Sequence, residues 1–253
     1  MQPLFSNIKE QQITIAKRPA RAVFDWFTLG FKQFNQHKLH WIILCVLMYT
    51  TVLALTMIPL IGEAVGCLLL PGFFTLSAHV VEKKQFHFEA VFSAIRYHYL
   101  PLLQIFAVNL LVSFICVGIA SHVTEVDLNQ LDQVESFLKL MQVAALMYLP
   151  FLLIMVLASA LVVLHKVAAF EALKYSAYGC IKNLMPLFVF CIFSFFALFL
   201  AVIPMLLGLL VFVPIMHCTL FIVQKEIFVT RQAFKLPEND DDSDDGSDGS
   251  LYV

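Results

Sequence analysis

The sequence predicts an all-α fold: a polytopic transmembrane helical bundle with six spans arranged as three hairpins, short interfacial helices, and both termini cytoplasmic. Three observations carry this expectation. The chain of 253 residues is 60% hydrophobic and only 13% charged, against roughly 25% charged in ordinary soluble domains, and its mean hydropathy is +0.85. Its apolar residues gather into runs that reach or exceed the roughly 20 residues a membrane span requires. Finally, 15 of its 16 Lys and Arg fall on one side of those runs when the spans number six.

The elements follow in order. Residues 1–19 read as a cytoplasmic N-terminal segment, 20–230 as the six-span domain, and 231–253 as a disordered acidic cytoplasmic tail. The stretch Trp41–Val81 is long enough for two spans and holds a single charge, Glu63. It divides at Pro59-Leu60-Ile61-Gly62-Glu63, which reads as a tight turn, so spans one and two cover 41–61 and 64–81. Span three covers 99–120. The polar stretch Ser121–Ser136 carries Glu125, Asp127, Asp132 and Glu135 without a Lys or Arg. Span four covers 140–165. The last apolar run, Leu184–Val223, has no Asp, Glu, Lys or Arg. As one helix it would extend about 60 Å, about twice the hydrocarbon core. It must turn back near Pro204–Gly208, giving spans 184–203 and 206–224.

Orientation follows from the excess of Lys and Arg in cytoplasmic loops. The stretch before span one has six, and the segments after spans two, four and six have three each. Only Lys139 lies opposite. The tail from Glu238 to Asp248 holds seven of the 18 acids. Without it the body has 16 basic residues against 11 acids, a net of +5. No C-x-x-C pair occurs among Cys45, Cys67, Cys116, Cys180, Cys191 and Cys218, which argues against a disulfide or zinc framework. The basic start, with no early apolar core, is unlike a cleaved signal peptide.

The three hairpins read as variations of one unit. Phe88-Glu89-Ala90 precedes span three and Phe170-Glu171-Ala172 precedes span five, and each leads to a proline, Pro101 or Pro186. The offset between the two copies changes by less than one helical turn from their start to their prolines. Val23-Phe24-Asp25-Trp26 precedes span one in the same way. The second helix of each hairpin holds an interior proline: Pro71, Pro150 or Pro214. The segments before the odd spans are expected to be amphipathic. Their stripes are Val23, Phe27, Phe31 and Phe34; then Phe88, Phe92 and Ile95; then Phe170, Leu173 and Ala177. They either lie in the headgroup layer, with basic side chains at anionic lipid, or pack under the bundle as elbows.

Little chemistry is legible. The predicted spans contain no Asp, Glu, Lys or Arg, and buried ionisable groups are the usual mark of proton relays. Five residues are candidates for a functional site. Pro71 and Gly72 can break span two, and broken helices often line sites. His79 and His217 are the intramembrane imidazoles, able to pair as ligands between hairpins or to hydrogen-bond neighbouring helices. Asn109 is a polar group in span three. Gln104 lies five residues away, about 140° around the helix, and so does not share its face. No phosphate loop, metalloprotease motif or nucleophile elbow is present, so no catalytic residue, cofactor site or metal site is expected. The tail Pro237–Ser250 is too polar to fold. It is expected either to bind a basic protein partner or to be a solvated end. No nucleic-acid partner is expected.

The order Phe24-Asp25-Trp26, Gly30, Phe34, Trp41, Ile58-Pro59-Leu60-Ile61-Gly62 and Pro71-Gly72-Phe73 resembles an uncharacterised family of six-helix bacterial inner-membrane proteins carrying a domain of unknown function. The resemblance covers roughly residues 17–230. It implies a multi-pass inner-membrane protein and supplies no site residues. The sequence thus leads first to a non-enzymatic scaffold, accessory subunit or envelope or lipid-homeostasis protein. The second expectation is a small-solute or lipid transporter without proton coupling. A cavity reaching Pro71 favours the second, and a dry bundle favours the first.

Overall fold

A computed structural model describes residues 12–58, 60–83, 85–125, 134–203 and 207–231. Pro59, most of the acidic stretch between spans three and four, the turn residues 204–206 and the acidic tail lie outside the described residues. The chain order is β1 (Gln12–Ile15), α1 (Ala22–Gln36), α2 (Lys38–Leu55), α3 (Ile61–Leu69), α4 (Gly72–Lys83), α5 (Glu89–Thr124), α6 (Val134–His165), α7 (Ala169–Lys182), α8 (Leu184–Val202), α9 (Leu209–Ile227) and β2 (Phe228–Arg231). Among the described residues six helices are long and apolar enough to cross a membrane: α2, α3 with α4, α5, α6, α8 and α9. Their outward surfaces are apolar. Phe114, Leu146 and Phe195 are 73%, 72% and 66% exposed, and exposed apolar surface on this scale fits lipid rather than water.

The odd spans share one device at their start. A single non-helical residue separates a preceding helical segment from the span: His37 (φ −137°, ψ 40°), His98 (φ −134°, ψ 19°) and Asn183 (φ −115°, ψ 31°). His98 stands to Pro101 as Asn183 stands to Pro186. Each proline sits three residues after its break, in the first turn of the new helix. There its missing N–H costs nothing, because first-turn N–H groups have no intrahelical partner. The prolines therefore mark helix starts rather than kinks.

The preceding segments match the expected stripes only in part: Val23, Phe27, Phe34, Ile95 and Leu173 are buried or packed on the core, and Phe31, Phe88, Phe92 and Phe170 are exposed. α1 buries Val23, Trp26, Gly30, Gln33 and Phe34, while Phe31 is 52% exposed. α7 buries the small residues Ala169, Ala172, Ser176 and Gly179, and Phe170 faces outward. The segment before span three is continuous with α5 up to His98 and buries Val91 and Ala94 rather than Phe88 and Phe92. The physical reason is the same for α7 and for the segment before span three, whereas α1 still buries Trp26 and Phe34. Between helices in lipid, large apolar side chains gain little by turning inward, whereas small ones allow close backbone approach.

α1 lies against α9 and α8. Gly30 permits this: a Cβ there would fall 2.2 Å from Thr219 Oγ1 and 2.8 Å from Thr219 Cα. Trp26, Phe27 and Phe24 meet Phe190 and Phe193 of α8. Two short strands, not foreseen from the sequence, join the ends of this assembly. β1 pairs antiparallel with β2, Gln12 opposite Arg231 and Ile15 opposite Phe228. Beside them Arg18 bonds Glu226 at 3.1 Å.

The fully buried Asn183 completes the junction. Its Oδ1 accepts the Arg18 backbone N–H at 2.8 Å, and its Nδ2 donates to the carbonyls of Ala16 at 3.0 Å and Gly179 at 3.1 Å. Replacing Asn183 with Ala leaves the part-buried Arg18 N–H and Ala16 carbonyl unpaired, while the Gly179 carbonyl keeps the backbone N–H of residue 183, at about 1–3 kcal/mol for such a loss. Thermal unfolding of the detergent-solubilised protein is expected to shift several degrees lower for Asn183→Ala. An unchanged midpoint would show that the junction is dispensable.

Candidate functional site: an intramembrane cavity

The interruption between α3 and α4 falls at Leu70–Pro71, as the Pro-Gly pair suggested. Proline at 71 has no N–H to donate to its preceding turn. The chain recovers through Phe73 N–H to Leu70 O at 3.1 Å and Phe74 N–H to Pro71 O at 3.0 Å. Gly72 serves a different purpose. A Cβ there would lie 2.3 Å from the Val91 carbonyl oxygen. Gly72 thus lets α4 touch the first turn of α5, where Thr75 Oγ1 donates to Ala90 O at 2.6 Å.

Beside this break α2, α3, α4, α5, α6 and α9 enclose a cavity of about 550 Å³. One end lies at the exposed Thr56 and Glu63, by the turn joining α2 to α3. The cavity extends past Cys67 and Pro71 to Phe74, Ser159 and Leu220. The path from Glu63 to Phe74 covers about three helical turns, or about 16 Å. The walls are mostly apolar, with Ile105, Phe106, Leu152 and Met155 among them. The polar side chains come from five helices: Tyr49, Glu63, Asn109, Ser113, Tyr148, Ser159 and His217. Among the described residues no Lys or Arg lines it.

Two polar pairs organise the lining. Tyr148 on α6 donates its hydroxyl proton to Asn109 Oδ1 on α5. Asn109 and Ser113 are four residues apart and so share a helical face, and both line the cavity. Opposite them, Tyr49 Oη and His217 Nε2 share a hydrogen bond of 2.9 Å. The His217 ring also stacks on Phe73, with centroids 4.1 Å apart and planes 10° apart. The His217 imidazole is thereby fixed in position and orientation.

Of the five residues singled out from the sequence, Pro71, Asn109 and His217 line this cavity, and Gly72 and His79 do not. His79 and His217 do not form the pair considered for them. His79 meets His87 edge-on at 6.0 Å, whereas His217 belongs to Tyr49 and Phe73. Among the described residues no group of three or more His, Cys, Asp or Glu is placed to hold a metal ion. Glu63 falls in the first turn of α3 rather than in a turn. Tyr49, Cys67 and Tyr148 escaped notice in the sequence because each stands alone in an apolar run. The spacing of Asn109 and Ser113 was the available signal.

The chemistry offered is a set of neutral hydrogen-bonding groups on an apolar wall, with one carboxylate at the exposed end. Sites for small molecules commonly have this composition and measure roughly 300–1,000 Å³. His217→Ala is expected to lower thermal stability by about 1–3 kcal/mol, because it removes a stacked ring and leaves the Tyr49 hydroxyl without its partner. His79→Ala is expected to shift stability by under about 0.5 kcal/mol, as for substitutions away from such features. Unfolding of the two variants side by side checks the contrast, and equal effects would refute it. Comparisons of the chain with protein-family models, curated proteins and solved structures find no match, so the chemistry of the cavity is read from its own side chains.

Proposed function

We propose that this protein is a carrier or facilitator for a small solute or lipid-like molecule, working in a bacterial inner membrane without proton coupling. The cavity of about 550 Å³ that reaches Pro71 carries this reading. A scaffold needs no such space, and a bundle packed for structure alone would fill it. The mixture of apolar wall and neutral polar groups suits a neutral, partly apolar molecule. An anion would meet no Lys or Arg there and would approach Glu63. The volume suits one small amphiphile or one part of a lipid.

The three-hairpin organisation belongs to the same reading. The matching breaks at His37, His98 and Asn183 support three units in one orientation, each an elbow followed by two spans. Both termini then lie in the cytoplasm with 15 of 16 basic residues, and the cavity opens on the opposite face, where Glu63 sits. Exposed Lys32 and Lys174 on the elbows suit anionic headgroups. The acidic tail suits a basic partner. No covalent chemistry is assigned to the protein.

Native mass spectrometry of the protein gently extracted from its own membrane tests the reading. A small molecule is expected to remain bound to the wild type. Ser159→Trp, which fills the cavity from a buried position, is expected to lose it while keeping its size-exclusion profile. A wild type with no bound small molecule, or a variant that retains it as well as the wild type, would overturn the cavity as its site. A protein bound at fixed stoichiometry in place of a small molecule would return the accessory role to first place.

A further inference from the structure

A second cavity, of about 410 Å³, lies further along two of the same helices, toward their C-terminal ends. It is lined by Lys32, Gln33 and Gln36 of α1, Val80 and Val81 of α4, and Ile222, Lys225 and Glu226 of α9. Along α4 the first cavity ends at Phe74 and the second begins at Val80, under two turns or about 9 Å on. Along α9 the first ends at Leu220 and the second begins at Ile222.

The protein between the two cavities is not a normal dry core. Ser77 lies one turn beyond Phe74 and is fully buried, and its Oγ has no hydrogen-bond partner among the described residues. Gln224 lies one turn beyond Leu220 on the same helical face and is also fully buried. Neither its Oε1 nor its Nε2 has a partner among the described residues. Gln33, 5% exposed, reaches from the second cavity to the Ser77 carbonyl at 3.3 Å, and its Oε1 is likewise unpartnered among them. A buried polar group left unpaired costs about 1–3 kcal/mol, and native interiors hold few of them. Ser77, with Gln33 on its carbonyl, lies between the cavities along α4, and Gln224 lies one turn under Leu220 of the first cavity; such a set of unpaired side chains requires a reason. Along the rest of the interface between α4 and α9 apolar side chains such as Phe73 and Cys218 meet.

We propose that the two cavities are the outer and inner halves of one passage for small neutral, hydrogen-bonding solutes. Phe74 and Leu220 close it in this structure, and Ser77, Gln224 and Gln33 line it when it is open. This rests on the first cavity being a solute site and adds its route. In the open state the hydroxyl and the two carboxamides gain water or solute as partners, which offsets the cost of separating α4 from α9. The solute meets no fixed charge between the cavities, and Lys32, Lys225 and Glu226 stand only at the inner end. α1 is the element that can yield: it covers the second cavity, and its outer face carries exposed side chains such as Leu29 and Phe31.

The test uses the full chain in liposomes and a small membrane-impermeant methanethiosulfonate. Native Cys67, in the first cavity, is the internal reference, and sites are read by mass spectrometry of digested protein. Ser77→Cys and Gln224→Cys are expected to be modified. Leu76→Cys and Val223→Cys, at equally buried neighbouring positions turned to other faces, are expected not to be. Adding Phe74→Ala should raise modification at 77 and 224 at least tenfold and should speed glycerol entry into the liposomes by a similar factor. Modification of Cys67 with none at 77 or 224, even beside Phe74→Ala, would overturn the passage and leave the cavity intact. No modification at Cys67 in the wild type would instead count against the cavity as an open site.

Discussion

The constraint on which this structure depends is that lipid offers a peptide group no hydrogen-bond partner. A backbone amide or carbonyl exposed to hydrocarbon costs several kcal/mol, so a chain may leave the helix only where protein or a water-filled space supplies the missing bonds. Two interruptions show this. At Asn183 a buried carboxamide takes up groups from the N-terminal segment and from α7. At Pro71 the lost bond is one that proline cannot make, and the break borders the larger cavity. Breaks and cavities are thus two consequences of one rule.

The same medium changes what packing means. In water a helix turns its largest apolar side chains inward. Here α7 turns inward Ala169, Ala172, Ser176 and Gly179, and α1 brings Gly30 against Thr219. What holds the helices together is close backbone approach, dispersion and a few buried hydrogen bonds. Phenylalanine is left to cover the outside, as Phe188, Phe195, Phe196 and Phe199 do on α8, each at least 60% exposed.

This explains which features the sequence made legible. Number and approximate extent of the spans could be read because hydropathy along a chain is a local property. The breaks at His98 and Asn183 were announced by Pro101 and Pro186, although the residues before them, not the prolines, carry the break. The face of α7 was misjudged because a large-residue stripe points inward only where the outside is water, while on α1 only Phe31 of the expected stripe turned out to be exposed. The cavity was beyond reach for another reason. Asn109 meets Tyr148 on the next helix, and Tyr49 meets His217 near the far end of the chain. No periodicity within one helix records such neighbours. The β1–β2 ribbon left no signal either, since four residues at each end carry too little pattern.

That ribbon has a consequence in time. Gln12 pairs with Arg231, and α1 rests on α8 and α9. Almost the whole chain must therefore be made before its first helix finds a permanent place. At translation rates of about 5–20 residues per second, the 172 residues between α1 and α9 take roughly 9–34 s to make. During that interval α1 presents Trp26 and Phe34 without their partners, and the surrounding bilayer is the natural place for them to wait. α9 thus completes the first helix, and a chain cut short before it would leave α1 with α8 alone, without the Gly30–Thr219 approach or the ribbon, a built-in mark of incomplete synthesis.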